Sequence, residues 1–131
     1  MAPENSMSLD ELALDELALD ELARELIARE PLLGRSYQSA TEVDQTTVPG
    51  FRAIDATGRE ITLGMVRAGA GTGSGTMPGT ISQAVLRPVG GEVVVLDYLF
   101  TGLATTARNT TVWLRVGDQW RAAHHQQTHV S

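Results

Sequence analysis

The last fifty residues constrain this chain most, because four strand-length segments follow one another there with only tight turns between them. Residues 80–89, 92–104, 107–116 and 119–130 alternate or run apolar, and Val, Thr, Leu and aromatic residues dominate them. Gly90-Gly91 and Gly117-Asp118 make two of the turns, and the third connection falls near 104–107. Strands joined so closely pair as an antiparallel meander. The first half of the chain reads as mostly helical. Helices first and strands afterwards predict an α+β fold, with N-terminal helices packed on a curved antiparallel sheet.

The helical half begins with a repeat. LDELA occurs three times without a gap from Leu9, Leu14 and Leu19, and a degraded copy, RELIA, spans 24–28. Leu, Glu and Ala favour helix, and Ser8 with Glu11 forms an S-x-x-E capping box. One helix is expected over 9–29, ended by Pro31 and Gly34. A five-residue period turns the pattern by about 140° per copy, so no single stripe runs the length of the helix. Leu12, Leu19, Leu22, Leu26 and Ile27 share one face, whereas Leu14 and Leu17 point away from it. Residues 1–18 are therefore read as a tail and helical extension produced by tandem duplication, and 19–131 as a single domain. The extension is either a projecting helix or a partner-docking arm.

Between helix and meander, 41–47 suits a short helix capped by Ser39 or Thr41 and stopped by Pro49-Gly50. Residues 51–55 and 60–62 suit a small hairpin about the Ala56-Thr57-Gly58-Arg59 turn, and 63–68 begin a third helix. The run GAGTGSGTMPG, 69–79, carries five glycines in eleven residues. It has neither a lysine nor G-x-G-x-x-G spacing, so it reads as a loop or lid and not as a phosphate cradle.

Composition narrows the chemistry. With 131 residues the chain is one domain long, and it has no cysteine. Disulfides, thiolate nucleophiles and thiolate metal sites are excluded. All ten basic residues are arginine, which excludes a Schiff-base lysine and a Walker lysine. Six of the sixteen acids lie inside the repeat, and the remaining ten balance the ten arginines. No basic face for nucleic acid results. No apolar run reaches the roughly 18 residues of a membrane span, and no signal pattern is present, so a soluble cytoplasmic protein is expected.

The element order, together with REPLL (29–33), FRAIDATGR (51–59) and above all VWLRVGDQWRAAHHQQT (112–128), resembles the nuclear-transport-factor-2-like superfamily. Its α+β cone is shared with ketosteroid isomerase and SnoaL-like polyketide cyclases. Within that superfamily the likeness is to small bacterial stand-alone proteins of a domain family of unknown function, and it covers about 19–130. A V-W-x-R strand, a G-D turn, W-R and a terminal H-Q-x-T recur in such proteins. Two departures stand out: the Gly-rich run replaces an aromatic- and charge-bearing part of the third helix, and Ala53 stands where a glutamate is often found. The resemblance implies a cone enclosing a mainly apolar pocket, and commonly a homodimer formed through the outer sheet surface. The fold hosts isomerases, cyclases, dehydratases, epoxide hydrolases and pure binding modules. Two functions are expected from it. One is a cofactor-free acid–base enzyme acting on a small hydrophobic, carbonyl-bearing molecule. The other is a non-catalytic ligand-binding or dimeric assembly module.

Strand parity decides which polar groups would meet a ligand. On the last strand Trp120, Ala122, His124, Gln126 and Thr128 share one face, taken as inward because small Ala122 beside Trp120 leaves room for a ligand. His125 lies on the other face, although His125-Gln126 matches the family motif best. Asp97 interrupts the apolar run VVVLDYLF, so it is either a buried general base or acid, or a carboxylate paired with an arginine such as Arg115. Tyr98 points to the face opposite Asp97. His124 is either a hydrogen-bonded core residue or a pocket acid–base group. Tyr37 is a candidate phenolic donor, and Tyr37 or Gln126 would steady an oxyanion. His124 and His125 point to opposite faces, and His125 and His129 lie about 13 Å apart, so no metal site is expected. With Val112 and Leu114 inward, Trp113 and Arg115 would lie at the homodimer interface; the alternative is that Trp113 covers the edge of the same core.

Overall fold

The structure, a computed structural model, describes residues 9–30, 38–71 and 79–130, with side chains in the first helix from Leu17 onward. Helix α1 spans Leu9–Arg29, the range expected from composition and from the proline two residues beyond it. Leu26 is fully buried, with Leu22 and Ile27 packed beside it, while Leu17 is 62% exposed. The capping Ser8 lies outside the described residues. Helix α2 spans Ala40–Thr46, and the Ser39 hydroxyl accepts from the Glu42 N–H at 3.1 Å. Thr46 and Thr47 turn their hydroxyls back onto the Glu42 and Val43 carbonyls, at 2.8 and 2.7 Å, and the chain passes directly into a strand.

That strand, β1 (Thr47–Ile54), pairs antiparallel with β2 (Glu60–Thr62). The turn between them is tied by Asp55, whose Oδ1 accepts from the Thr57 and Arg59 N–H groups, both at 2.9 Å. Gly58 supplies the positive φ of 87° that this turn needs. Helix α3 (Leu63–Gly69) starts on a Thr62 cap. Strands β3 (Gly79–Gly90), β4 (Val93–Gly102), β5 (Thr106–Val116) and β6 (Gln119–His129) form the expected antiparallel meander.

The sheet is larger than the meander. Its order is β2-β1-β6-β5-β4-β3, and β1 joins β6 in parallel, with Ala53 opposite His125. An antiparallel sheet is therefore corrected to a mixed six-stranded one within the same α+β cone. One face carries the core: Val94, Leu96, Tyr98 and Phe100 from β4, Ala107 and Trp113 from β5, Ala122 from β6, Phe51 and Ala53 from β1. Leu26 of α1 and Val43 of α2 close over it.

A bulge in β6 sets which of its polar side chains face the core. Trp113 pairs with Ala122 but Val112 pairs with His124, so Ala123 is an extra residue on its strand. The expected inward face holds for half-buried Trp120 and buried Ala122. Beyond the bulge the alternation reverses, and His125 and Gln127 face inward instead of His124 and Gln126.

Candidate functional site

The α1 helix ends with a carboxylate in the wrong place for a solvent-exposed turn. Leu22, Leu26 and Glu30 succeed one another at intervals of four, so Glu30 continues the buried stripe of the helix. It is 1% exposed and touches two strands of the inner face. Tyr98 Oη donates to Glu30 Oε1 at 2.7 Å, Thr111 Oγ1 lies 3.0 Å from the same oxygen, and Trp113 Nε1 donates to Oε2 at 3.0 Å. Burial disfavours the ionised form and raises the Glu30 pKa to about 7, against the three hydrogen bonds and the nearby Arg29 charge, which pull it down.

The network continues along the inner face. His125 Nδ1 is 2.7 Å from Thr111 Oγ1 and 3.8 Å from Glu30 Oε1, and His125 Nε2 is 3.1 Å from Asn109 Oδ1. Gln127 Nε2 donates to the same Asn109 oxygen at 3.3 Å, while Asn109 Nδ2 donates to the Ala107 carbonyl at 3.2 Å. Burial, assisted by the neighbouring His124 charge, lowers the His125 pKa to about 4. The imidazole is neutral at physiological pH. The Arg29 guanidinium stacks over the Trp113 ring, 4.9 Å from its centroid, and burial lowers its pKa.

Several sequence-derived candidates lie elsewhere. Asp97 is on the outer face, where Oδ2 accepts from Arg87 at 3.1 Å and Oδ1 from the Thr110 hydroxyl at 2.6 Å. The arginine pairing is real, but the partner is Arg87 on the adjacent strand β3, not Arg115. Arg115 donates to the Gly117 carbonyl in the β5–β6 turn. His124 is half-buried on the outer face, opposite Val112. Gln126 is exposed and lines an open outer groove of about 680 Å³ with Arg108, Thr110 and Thr128. Trp113 is wholly buried, so the reading that placed it on an outer dimer surface is corrected. The parity of β5 is the reverse of that expected: Asn109, Thr111 and Trp113 point inward, and Val112 and Leu114 outward. Tyr37 lies outside the described residues, as does most of the Gly-rich run. Among the described residues no group of three or more His, Asp or Glu is placed to hold a metal ion, and no helix is long and apolar enough to cross a membrane.

Glu30, Tyr98, Thr111, Asn109 and Gln127 were not singled out from the sequence. The interval of four from Leu22 through Leu26 was the available signal for Glu30. For β5, apolarity misled, because Val112 and Leu114 suggest an inward face that polar residues in fact occupy.

No known family profile matches the chain, and no curated protein matches it. Solved structures do. A nuclear-transport-factor-2-like protein from Cytophaga hutchinsonii superposes with a TM-score of 0.65 at 14% identity, covering 95% of this chain and 100% of its own. One of unknown function from Pseudomonas putida gives 0.62 at 19%, covering 86% and 87%. A cystatin-like fold protein from Burkholderia xenovorans gives 0.65 at 14%, covering 89% and 93%. At such identities the likeness is one of fold, and by its fold this chain is a nuclear-transport-factor-2-like cone.

Proposed function

We propose that this is a small-molecule protein of acid–base type, with Glu30 as its proton-carrying group and Tyr98 as the donor beside it. The observation that carries the reading is a buried carboxyl whose proton is held up to neutral pH by its surroundings, on the core face of the cone. Such a group protonates a carbonyl oxygen or receives the proton of an adjacent C–H, the requirement of isomerisation, cyclisation or dehydration of a small hydrophobic carbonyl compound. Tyr98 already points its hydroxyl at Glu30 Oε1, so a carbonyl oxygen inserted between them would meet two donors. No step of this chemistry calls on a cofactor.

Deuterium exchange at the α-carbon of small cyclic ketones and enones, followed by NMR in D2O, tests it. The wild type is expected to accelerate exchange, and Glu30→Gln to lose about 100-fold or more of that acceleration, the usual weight of a general acid–base group. Exchange that is absent, or unchanged in the variant, removes the catalytic reading.

A second reading rests on a different observation. Glu30, His125, Asn109 and Gln127 are all bonded to one another or to near neighbours. Meanwhile the outer sheet face carries half-buried Val93, Val95, Leu99, Val112 and Leu114 beside exposed Val85 and Val116. These favour a non-catalytic module that pairs with a second copy through that face.

A further inference from the structure

One hydroxyl stands between Glu30 and His125, and the contacts on either side determine how many protons the three groups hold. Asn109 settles one end. Its Nδ2 donates to the Ala107 carbonyl, so Oδ1 is the atom facing His125 Nε2 at 3.1 Å. Turning the amide over would set two carbonyl oxygens against each other. His125 Nε2 therefore carries a hydrogen.

At the other end, Thr111 Oγ1 has one proton to give and two neighbours, His125 Nδ1 at 2.7 Å and Glu30 Oε1 at 3.0 Å. If the hydroxyl donates to Nδ1, Glu30 must carry a hydrogen to donate to Thr111. If it donates to the carboxylate, Nδ1 must carry that hydrogen. Either arrangement satisfies both contacts, and each places one dissociable proton on the pair. With none, one contact faces lone pair against lone pair. With two, both neighbours donate to Thr111 and its own proton has no acceptor.

Burial selects between the two one-proton states. Glutamate with imidazolium would place two charges where Glu30 is 1% and His125 6% exposed, whereas the acid with neutral imidazole has none. In water the imidazole is the stronger base, so the unfolded chain makes the opposite choice.

We propose that Glu30, Thr111 and His125 hold one proton between them, and that folding moves it from the imidazole to the carboxyl with the Thr111 hydroxyl as the bridge. In the folded network the exchange is concerted. The Nδ1–H bond breaks as Thr111 Oγ1 takes that proton, and the original Thr111 O–H bond breaks as Glu30 Oε1 takes the other. One N–H is replaced by one O–H, and Thr111 ends unchanged. The shared proton is the same whether the protein is a catalyst or only a binder.

Among the described residues the surrounding charges are few. Arg29 from α1, itself flanked by Glu25 and Arg121, favours an ionised Glu30. Tyr98 of β4 and Trp113 of β5 donate to Glu30. His124 of β6 disfavours a charged His125. Arg29, Glu25, Arg121 and His124 are common to the wild type and to variants at Glu30 or His125, so the comparison between them isolates the pair.

The signs of the two linkages are opposite. The Glu30 pKa is raised from 4.5 to about 7, so its contribution to stability is full below 4.5 and lost as pH rises to 7. The His125 pKa is lowered from 6.5 to about 4, so its contribution is full above 6.5 and lost as pH falls to 4. Between about 4.5 and 6.5 the two slopes cancel. Urea unfolding across that range is the test. Relative to wild type, the folding equilibrium constant of Glu30→Gln is expected to rise about tenfold per pH unit, and that of His125→Gln to fall about tenfold per pH unit. Slopes parallel to wild type in either variant would overturn the proposal.

Should either variant fail to fold, wild-type NMR at pH 6 decides. A protonated Glu30 carboxyl carbon and a His125 ring with hydrogen on Nε2 alone are expected. A carboxylate at Glu30 or an imidazolium at His125 defeats the proposal. Thr111→Val should shift the His125 Nδ1 resonance toward an unbonded nitrogen and Thr111→Ser should restore it; no change in the valine variant removes the bridge.

Discussion

A fully buried tryptophan must find an acceptor for its single N–H, and Trp113 finds it in Glu30 Oε2 at 3.0 Å while Arg29 covers its ring. Burial of the ring and satisfaction of the carboxyl are thus one arrangement. Replacing Trp113 by Phe keeps much of the packing but removes a donor that lowers the Glu30 pKa. We expect that pKa to rise from about 7 and the fold to lose about 1–3 kcal/mol, the cost of a buried group left short of a partner. Carbon-detected titration of Glu30 and urea unfolding would check both. The sequence marked Trp113 as important through its V-W-x-R motif but gave its side chain the wrong direction. Residue identity carries chemistry, whereas direction depends on strand parity, and parity cannot be read where both faces of a strand are partly apolar.

At the scale of elements, boundaries and the buried face of α1 were legible, whereas the faces of β5 and of β6 beyond its bulge were not. Helix α1 ends where Pro31 requires, α2 starts on its Ser39 cap, and the strands of the meander lie within a few residues of their expected bounds. The β6 bulge had no signal in the sequence, since Ala122 and Ala123 are equivalent as residues and only pairing with β5 makes Ala123 the extra one. Deleting Ala123 should remove the bulge and keep Ala122 inward, His124 outward and His125 inward in regular alternation. The expected result is a protein whose resistance to urea changes little, because the Thr111 and Asn109 contacts of His125 are kept; strong destabilisation would show that Ala123 is not the inserted residue. Gly79 offers a second check. A Cβ there would run into the Phe100 ring, so Gly79→Ala is expected to cost about 1–3 kcal/mol by overpacking, measured by thermal unfolding.

For the whole molecule, the outer sheet face is what the assembly reading stands or falls on. If a second copy covers it, burying on the order of 800 Å² per partner, then Leu114→Asp should convert a dimer to a monomer in sedimentation while leaving the inner network and its pH response intact. A wild type that sediments as a monomer rules that assembly out. The sequence by itself determined the α+β class, the element order and the cone resemblance, because propensity, capping, turn residues and local periodicity are properties of neighbouring residues. Only the tertiary structure decided that β1 joins β6 in parallel, that a bulge brings His125 inward, and that Glu30 meets Tyr98, Thr111 and Trp113. Those contacts join residues separated by 68 to 83 positions. A carboxyl acquires its unusual proton affinity from what surrounds it in space, and that environment exists only once helix and sheet have closed on each other.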